Sequence, residues 1–379
     1  PAVLAADANA VRWSEVHDVV IAGAGGAGLA AAVMAGSISK DVVVLEKTQD
    51  VGGNTRLADA FNAVDPAVQK PLGIEDSPEL HARQMLETGR WCADPKLVET
   101  VATGAPRALA WLKELGVRFE PGVYQVYGSL WPRTHSPSEP EGSGYIRPLL
   151  FKCRELGVSI RTGTKVLRVI RNGLEGPVLG VEAERMNGRR LFIRARRGVV
   201  VATGGFGANP EMVKKYNPKI DERFKTTDAP GTTGEALYMA ERAGAQLVNM
   251  GYIQTYPICD PLSGAIELIA DARFDGAIML NQEGKRFVEE LQRRDVLSEA
   301  ILNQTGQYCW VLWNDNIGKI SNTVKAHANE YEAFTKQGIM TTCDDLKCIA
   351  DFTKIPFDQL QKTVKRVSDM AGKGNDKDF

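Results

Sequence analysis

The sequence has almost no net charge: 46 lysines and arginines stand against 47 acidic residues, leaving −1 at pH 7 over 379 residues. So even a balance removes the usual electrostatic basis for binding nucleic acid or an anionic membrane surface. Histidine is scarce, at four. The six cysteines (Cys92, Cys153, Cys259, Cys309, Cys343, Cys348) are scattered, with no CxxC pair and no haem-attaching CxxCH. No metal constellation and no Ser-His-Asp or Cys-His set emerges. Cys343 and Cys348, five apart in "CDDLKC", lack a second ligand pair and read as ordinary helix or loop thiols. The even count still leaves disulfides open. Long apolar runs are rare as well. The one near bilayer length is Val19 to Ser39, "VVIAGAGGAGLAAAVMAGSIS", which carries no charge. Its glycines are bunched and the charged, β-rich segment from Asp41 to Lys47 follows at once. It reads as a strand, a tight turn and a buried helix, so no membrane span is expected.

A chain this long exceeds one small core, and two domains are expected. Pro1 rather than Met opens the sequence, so residues 1–17 are read as a linker or a processed N-terminus. Continuous Val/Ile/Leu runs in "DVVIAG" and "DVVVLEK" suit parallel strands buried on both faces. From about 75 to 117 the apolar spacing is helical, with Ser77 and Asp94 as N-caps, each followed by proline. From 158 to 202 the chain alternates as a β-meander, with Asn-Gly hairpin signals at 172 and 187, and "VVVATGG" returns it to the first sheet. A helix is expected in "PGTTGEALYMAERAGAQL". After residue 251 come mixed loops, a strand from Ala277 to Asn281, and helices. The expected fold is α/β: a Rossmann-like domain with a β-meander over 18–251, then an α+β domain over 252–379.

Gly23, Gly25, Gly26, Ala27 and Gly28 form a GxGxxG between strand and helix, where backbone can approach a pyrophosphate at a helix N-terminus. Glu46 closes the next strand about 20 residues on, where an acid would hold ribose hydroxyls. Directly after Glu46 and Lys47, Gly52, Gly53, Asn54, Thr55 and Leu57 supply a second flexible wrap. Ala202, Thr203 and Gly204 in "ATGG" suit a third approach. NAD-dependent dehydrogenases do not usually need these two extra stretches, so FAD is the expected cofactor.

The ordered series GAGGAG, "LEK", "GGNTRL", "VVVATGGF", "PGTTGEAL", "YIQTYP" and "NQEGKRFVEELQRRD" resembles the flavoprotein subunit of fumarate reductases, especially the soluble flavocytochrome c type. That family also includes soluble 2-enoate reductases such as urocanate reductases. The resemblance implies an FAD domain interrupted by a mobile clamp domain, here 252–379. It implies hydride transfer from flavin N5 to the β-carbon of an α,β-unsaturated acid, with a proton delivered by an arginine. By motif match that arginine is Arg294, and Arg273 in "ADARFDG" is its relay partner; Arg293 is read as a surface residue. The family's "HTMGG"-like and "GANRLGGN"-like stretches do not occur, so the final FAD-domain segment is expected to lie outside this sequence.

The acidic relay position of the family aligns with Ala270, and Asp271 stands one place away. Tyr256 in "QTYP" replaces the histidine of the family's "QAHP". A pocket end bearing Tyr256 and Asp271 would repel a second carboxylate and accept a ring N–H. Urocanate is therefore the expected substrate, with fumarate as the alternative and a non-catalytic flavin-binding electron-transfer fragment as a reading of another class. His135 and Asp59 match site-lining positions, and Glu235 an acid at the flavin-lining turn. The resemblance further implies an external electron donor, either a flavin or cytochrome domain or a separate protein. It also points to a periplasmic location, with the cytoplasm as the alternative.

Overall fold

The computed structural model describes residues 11–58, 60–126, 130–139, 142–173, 175–260 and 263–379, with only the backbone of Asn322 described. The chain divides into two compact units: Pro1–Tyr216 with Asp228–Met250, and Asn217–Thr227 with Gly251–Phe379. The short segment Asn217–Thr227, expected within the first domain, thus belongs to the second unit.

The first unit is built on β1 (Glu15–Ala22), β2 (Val42–Leu45), β3 (Phe61–Asn62), β4 (Thr134–His135), β5 (Ser159–Arg161), β6 (Thr164–Arg171), β7 (Val178–Arg185) and β8 (Arg190–Val201). Six of these make one sheet in the order β5-β2-β1-β8-β7-β6, while β3 and β4 pair separately. β1 runs parallel to both β2 and β8, and β6, β7 and β8 form the antiparallel meander. Ser159–Arg161, expected to open that meander, instead lies parallel beside β2. The start of β1 also corrects the expected linker over 1–17. Glu15 already pairs with Ile193, and His17 bonds Asp41 at 2.6 Å.

Period-two alternation explains why the central strands are apolar throughout. Val20, Ala22, Val43 and Leu45 face one core with Ala236 and Met239 of the helix Glu235–Arg242. Ile21, Val42 and Val44 face the other, against the helices Gly26–Ile38 and Ser143–Glu155. Each buried Val or Ile contributes about 1.5–3 kcal/mol, so the strand ends carrying the glycine turns are firmly anchored. Ser77 and Asp94 cap the helices Pro78–Thr88 and Pro95–Glu114 as expected, accepting from Leu80 N and Lys96 N. Among the described residues no helix is long and apolar enough to cross a membrane.

The second unit centres on β9 (Ile278–Leu280), antiparallel to β10 (Trp310–Leu312). Ile278 and Leu280 pack on Ala350, Ile355 and Leu360, while Met279 packs on the opposite side with Val288, Leu297 and Ile301. Cys343 and Cys348 correct the free-thiol reading, because they form a disulfide. Asp345 caps the helix Leu346–Thr353 by accepting from Cys348 N at 2.8 Å. That turn brings the two Cα atoms to 5.6 Å, within bridging range. The spacing alone does not reveal the turn.

Candidate functional site

In the first unit, three glycine-bearing turns meet at the strand ends. Gly23 N donates to Leu45 O at 2.8 Å, Gly52 N to Ala24 O at 2.8 Å, and Ala202 N to Ala22 O at 2.8 Å. Gly23 has φ +99°, a region L side chains rarely adopt. A Cβ at Gly28 would lie 1.9 Å from Gly23 O, so only glycine lets the helix start pack on that turn. Gly26 N donates to Thr55 Oγ1 at 3.1 Å, and Gly25 bridges Gly52. The helix that begins at Gly26 has no side-chain cap and no acid in its first turn. Apart from Gly26 N, its first-turn N–H groups and its positive end are thus left for an anion. Ala27, in its first turn, is exposed.

Glu46 is placed differently from a free ribose acceptor. Its Oε2 accepts from Ala24 N at 2.9 Å, and its Oε1 accepts from Thr48 N at 2.9 Å and Thr48 Oγ1 at 2.8 Å. Three of about four carboxylate lone-pair positions are therefore used in holding two turns together. Asn54 fastens the wrap Gly53–Leu57 to the next turn. Its Nδ2 donates to Asp228 at 2.6 Å and its Oδ1 accepts from Ala229 N at 2.7 Å and Thr232 at 3.1 Å. Leu57 ends that wrap and is exposed. Thr203 Oγ1 is buried without a partner among the described residues, and Gly204 beside it has φ +78°.

Lys47 donates to Thr233 at 2.5 Å and pairs with Glu235 at 3.0 Å, and Lys165 pairs with the same carboxylate at 3.0 Å. Burial alone would raise the Glu235 carboxyl, but hydrogen bonds from Thr233, Lys47 and Lys165 outweigh it and bring the pKa down to about 2. Lys47, Lys165, Thr48 and Gly231 line one groove with Met186. Asp228, Thr232, Thr233 and Lys165 escaped the sequence reading. "PGTTGEAL" carried the signal for the threonines, but nothing in "TKVL" marks Lys165 before the meander is folded.

His135 lies in β4, where Phe61 is its register partner. It is buried, with Nε2 3.2 Å from Ala63 O and its ring edge-on to Phe119. Burial lowers its pKa, which keeps the ring neutral. Asp59 lies outside the described residues.

The second unit gathers Tyr256, Asp271, Arg273 and Arg294. Asp271 and Arg273 stand two apart on the 3-10 helix Leu268–Asp275 and are both buried, with the Arg273 side chain 2% exposed. Tyr256 OH donates to Asp271 Oδ2 at 2.7 Å. Arg273 Nε donates to Asp271 Oδ1 at 3.2 Å, and its Nη1 donates to Glu290 O at 2.7 Å. The Arg294 guanidinium carbon lies 4.9 Å from the centre of the Tyr256 ring. Burial pushes the Tyr256 phenol up, the Asp271 charge and hydrogen bond push it further, and the two arginines only partly offset this. Tyr256 therefore stays protonated at any working pH.

Ala270, at the family's relay-acid position, is buried and carries no acid; Asp271 takes the contact to Arg273. Arg293 is exposed and pairs with Asp295 at 2.6 Å, matching its reading as a surface residue. Arg294 opens the helix Arg294–Leu302 half-buried, and among the described residues its side chain has no carboxylate partner. A half-buried guanidinium without a counter-ion is costly unless a ligand supplies one. Asp271, by contrast, is fully engaged by Tyr256 and Arg273. The group as a whole can bind a carboxylate and offers acceptors, not donors, at its Tyr256–Asp271 end.

A family model described as an FAD binding domain matches residues 18–378. The urocanate reductase of Eggerthella lenta is 37% identical over 366 residues, covering 96% of this chain and 60% of that protein. A fumarate reductase (cytochrome) of Shewanella frigidimarina is 32% identical over 365 residues, covering 96% of this chain and 62% of that protein. Among solved structures, the open conformation of a flavocytochrome c3 fumarate reductase superposes with a TM-score of 0.80 at 28% identity. That match covers 98% of this chain and 64% of the solved one. The chain thus spans a little under two thirds of the length of these relatives.

Proposed function

Because the chain belongs to the FAD-binding domain family, we propose that its protein reduces the C=C bond of an α,β-unsaturated carboxylate, urocanate first among them. FAD fits the first unit on three observations. A Cβ at Gly25, Gly53 or Gly204 would meet nothing nearer than 3.7 Å, which leaves space along the turns, the helix at Gly26 has no side-chain cap from Gly25, and the buried Thr203 hydroxyl lacks a partner among the described residues. Residues 23–28 would hold the pyrophosphate, with Gly52–Thr55 and Ala202–Gly204 approaching from either side. Bound FAD, when reduced, supplies a hydride to the β-carbon of the substrate.

What this chain's residues contribute follows from their charges. Arg294, which has no carboxylate partner among the described residues, takes a position suited to the substrate and gives a proton to the α-carbon. A guanidinium is a poor acid. It can act here because hydride addition makes the α-carbon a far stronger base than the guanidinium's own conjugate base. The π bond breaks, two C–H bonds form, and Arg294 regains its proton from solvent by way of the Arg273–Asp271 pair. The sequence contains no CxxCH, so the reducing electrons come from a donor outside these residues.

The observation that carries the substrate choice is the hydrogen bond from Tyr256 to Asp271. With its hydrogen spent, the phenol turns lone pairs outward, beside a carboxylate. A second carboxylate, as in fumarate, would meet like charge and no donor, whereas an imidazole N–H would find an acceptor. Discrimination against an analogue that leaves polar groups unpaired can reach about 10⁴-fold.

The test follows oxidation of a reduced viologen dye by the FAD-loaded protein, with urocanate and fumarate in parallel. Urocanate turnover should exceed fumarate turnover. Arg294→Ala should lower it about 10²- to 10⁴-fold, while Arg293→Gln should stay within about twofold, as for an exposed site. Preferred turnover of fumarate would transfer the reading to that substrate. Turnover of neither, with FAD bound, would overturn the substrate class.

A further inference from the structure

We infer that Glu290 is a positioning residue that holds Arg273 and Arg294 in register through one short stretch of backbone; this rests on the function proposed above. Glu290 sits four residues before Arg294. Its backbone carbonyl accepts from Arg273 Nη1 at 2.7 Å. Its carboxylate is buried and both of its oxygens are bonded. Oε1 accepts from Met279 N at 3.0 Å and Arg286 Nε at 2.9 Å, and Oε2 accepts from Arg286 Nη2 at 2.6 Å. One side chain therefore fastens the segment 286–294 to β9, the central strand of the second unit, whose Met279 is fully buried.

The far side of Arg286 is closed too. Its guanidinium, 7% exposed, pairs with Asp376 at 2.9 Å and Asp378 at 3.6 Å, and lies 5.0 Å from the Phe379 ring. Hydrogen bonding to Glu290 raises the Arg286 pKa, so the cation persists at any working pH. A buried, charge-assisted, bidentate clamp of this kind is among the stronger polar contacts in proteins. It is also geometrically exacting.

Neither Glu290 nor Arg286 is within bonding reach of Asp271 or Tyr256 by any contact of its own; Glu290 acts on them through Arg273. The consequence is specific. Loosening the clamp lets the Glu290 carbonyl drift, frees Arg273 from one of its two hydrogen-bonding partners, and shifts the start of the Arg294 helix. An error of about 1 Å in a catalytic group can cost on the order of 10²-fold in rate without weakening binding equally.

The test replaces Glu290 by glutamine. The amide can still accept from Met279 N, but its NH2 faces the Arg286 guanidinium, donor against donor. We expect kcat for urocanate to fall about 10- to 100-fold, with KM within threefold and FAD content unchanged. Hydrogen exchange of residues 286–295 should quicken relative to the rest of the second unit. Asp376→Asn, which weakens the clamp from its exposed side, should show the same split at smaller size. Arg294→Ala run alongside separates the two readings. If Arg294→Ala is inactive while Glu290→Gln keeps parental kcat, the positioning role is overturned and the function stands. If the parent reduces no enoate, exchange decides: faster exchange confined to 286–295 supports the clamp, and unchanged exchange overturns it. A fall in kcat matched by equal loss of bound FAD would also overturn it, since that is general destabilisation.

Discussion

Tyr256 and Asp271, fifteen residues apart, are joined by a 2.7 Å hydrogen bond in which the phenol is the donor. The direction of that bond matters more than its length. It consumes the phenol's only hydrogen, which burial and the Asp271 charge keep in place, while Arg273 donates to the other oxygen of Asp271. What remains outward is an array of acceptors.

Reversing that polarity should reverse the preference. Tyr256→His with Asp271→Ala restores a donor and removes the repelling charge. Loss of Asp271 also weakens the proton return for either substrate, so the signature is the ratio: kcat/KM for urocanate should fall at least 10-fold relative to that for fumarate, since a removed partner for a ligand N–H costs about 1–3 kcal/mol. Steady-state assays on both substrates measure the ratio. An unchanged ratio would show that these two residues do not set specificity.

FAD retention should depend on Gly28 out of proportion to its size. The methyl group of Gly28→Ala would overlap Gly23 O at 1.9 Å, so either the helix start or the first turn must shift. The protein should lose most of its flavin, read as the ratio of 450 nm to 280 nm absorbance after gel filtration. Gly104→Ala, at an open helical position where the added methyl meets nothing within 4 Å, should retain it.

Two carboxylates should bend the pH–stability curve in opposite senses. The Glu235 pKa falls from an ordinary 4.5 to about 2 in the folded protein. Its contribution is thus present above pH 4.5 and lost as pH falls from 4.5 towards 2. Glu267 is the reverse, raised to about 7 by burial and then by Asp260 and Glu330. The unfolded chain ionises it first, so it removes stability as pH rises from 4.5 to about 7. Thermal melts from pH 3 to 8 should show Glu235→Gln flattening the acid limb. Glu267→Gln should raise the melting temperature progressively as pH rises from 4.5 to about 7 and by a constant amount above that. A uniform shift across pH from either variant would contradict this assignment.

Local chemistry was legible in the residues. The GxGxxG with its flanking strands, the Ser77 and Asp94 caps, and the Asn-Gly hairpins each depend on neighbours a few positions away, and the structure places them as read. Apolar alternation likewise announced strands buried on both faces. The grouping of Tyr256, Asp271, Arg273 and Arg294 was reachable through the family resemblance, although the direction of the Tyr256–Asp271 bond was not.

Other features depended on where distant segments come to rest. Ser159–Arg161 reads like the meander that follows it, but β2 offered an unpaired parallel edge, and backbone groups take the partner that burial provides. Glu46 was read as a ribose acceptor, yet its lone pairs go mainly to Ala24 and Thr48 once the two turns close on each other. The Cys343–Cys348 bridge needed the Asp345 cap to draw its ends together. Glu290 looked like one more acid in a charged run. Sequence by itself determined the periodicities and turns, which are set by bonded neighbours and side-chain sterics. Only the tertiary structure decided which of the many acids and bases become buried partners, because desolvation makes an unpaired charge costly only after the chain has closed around it.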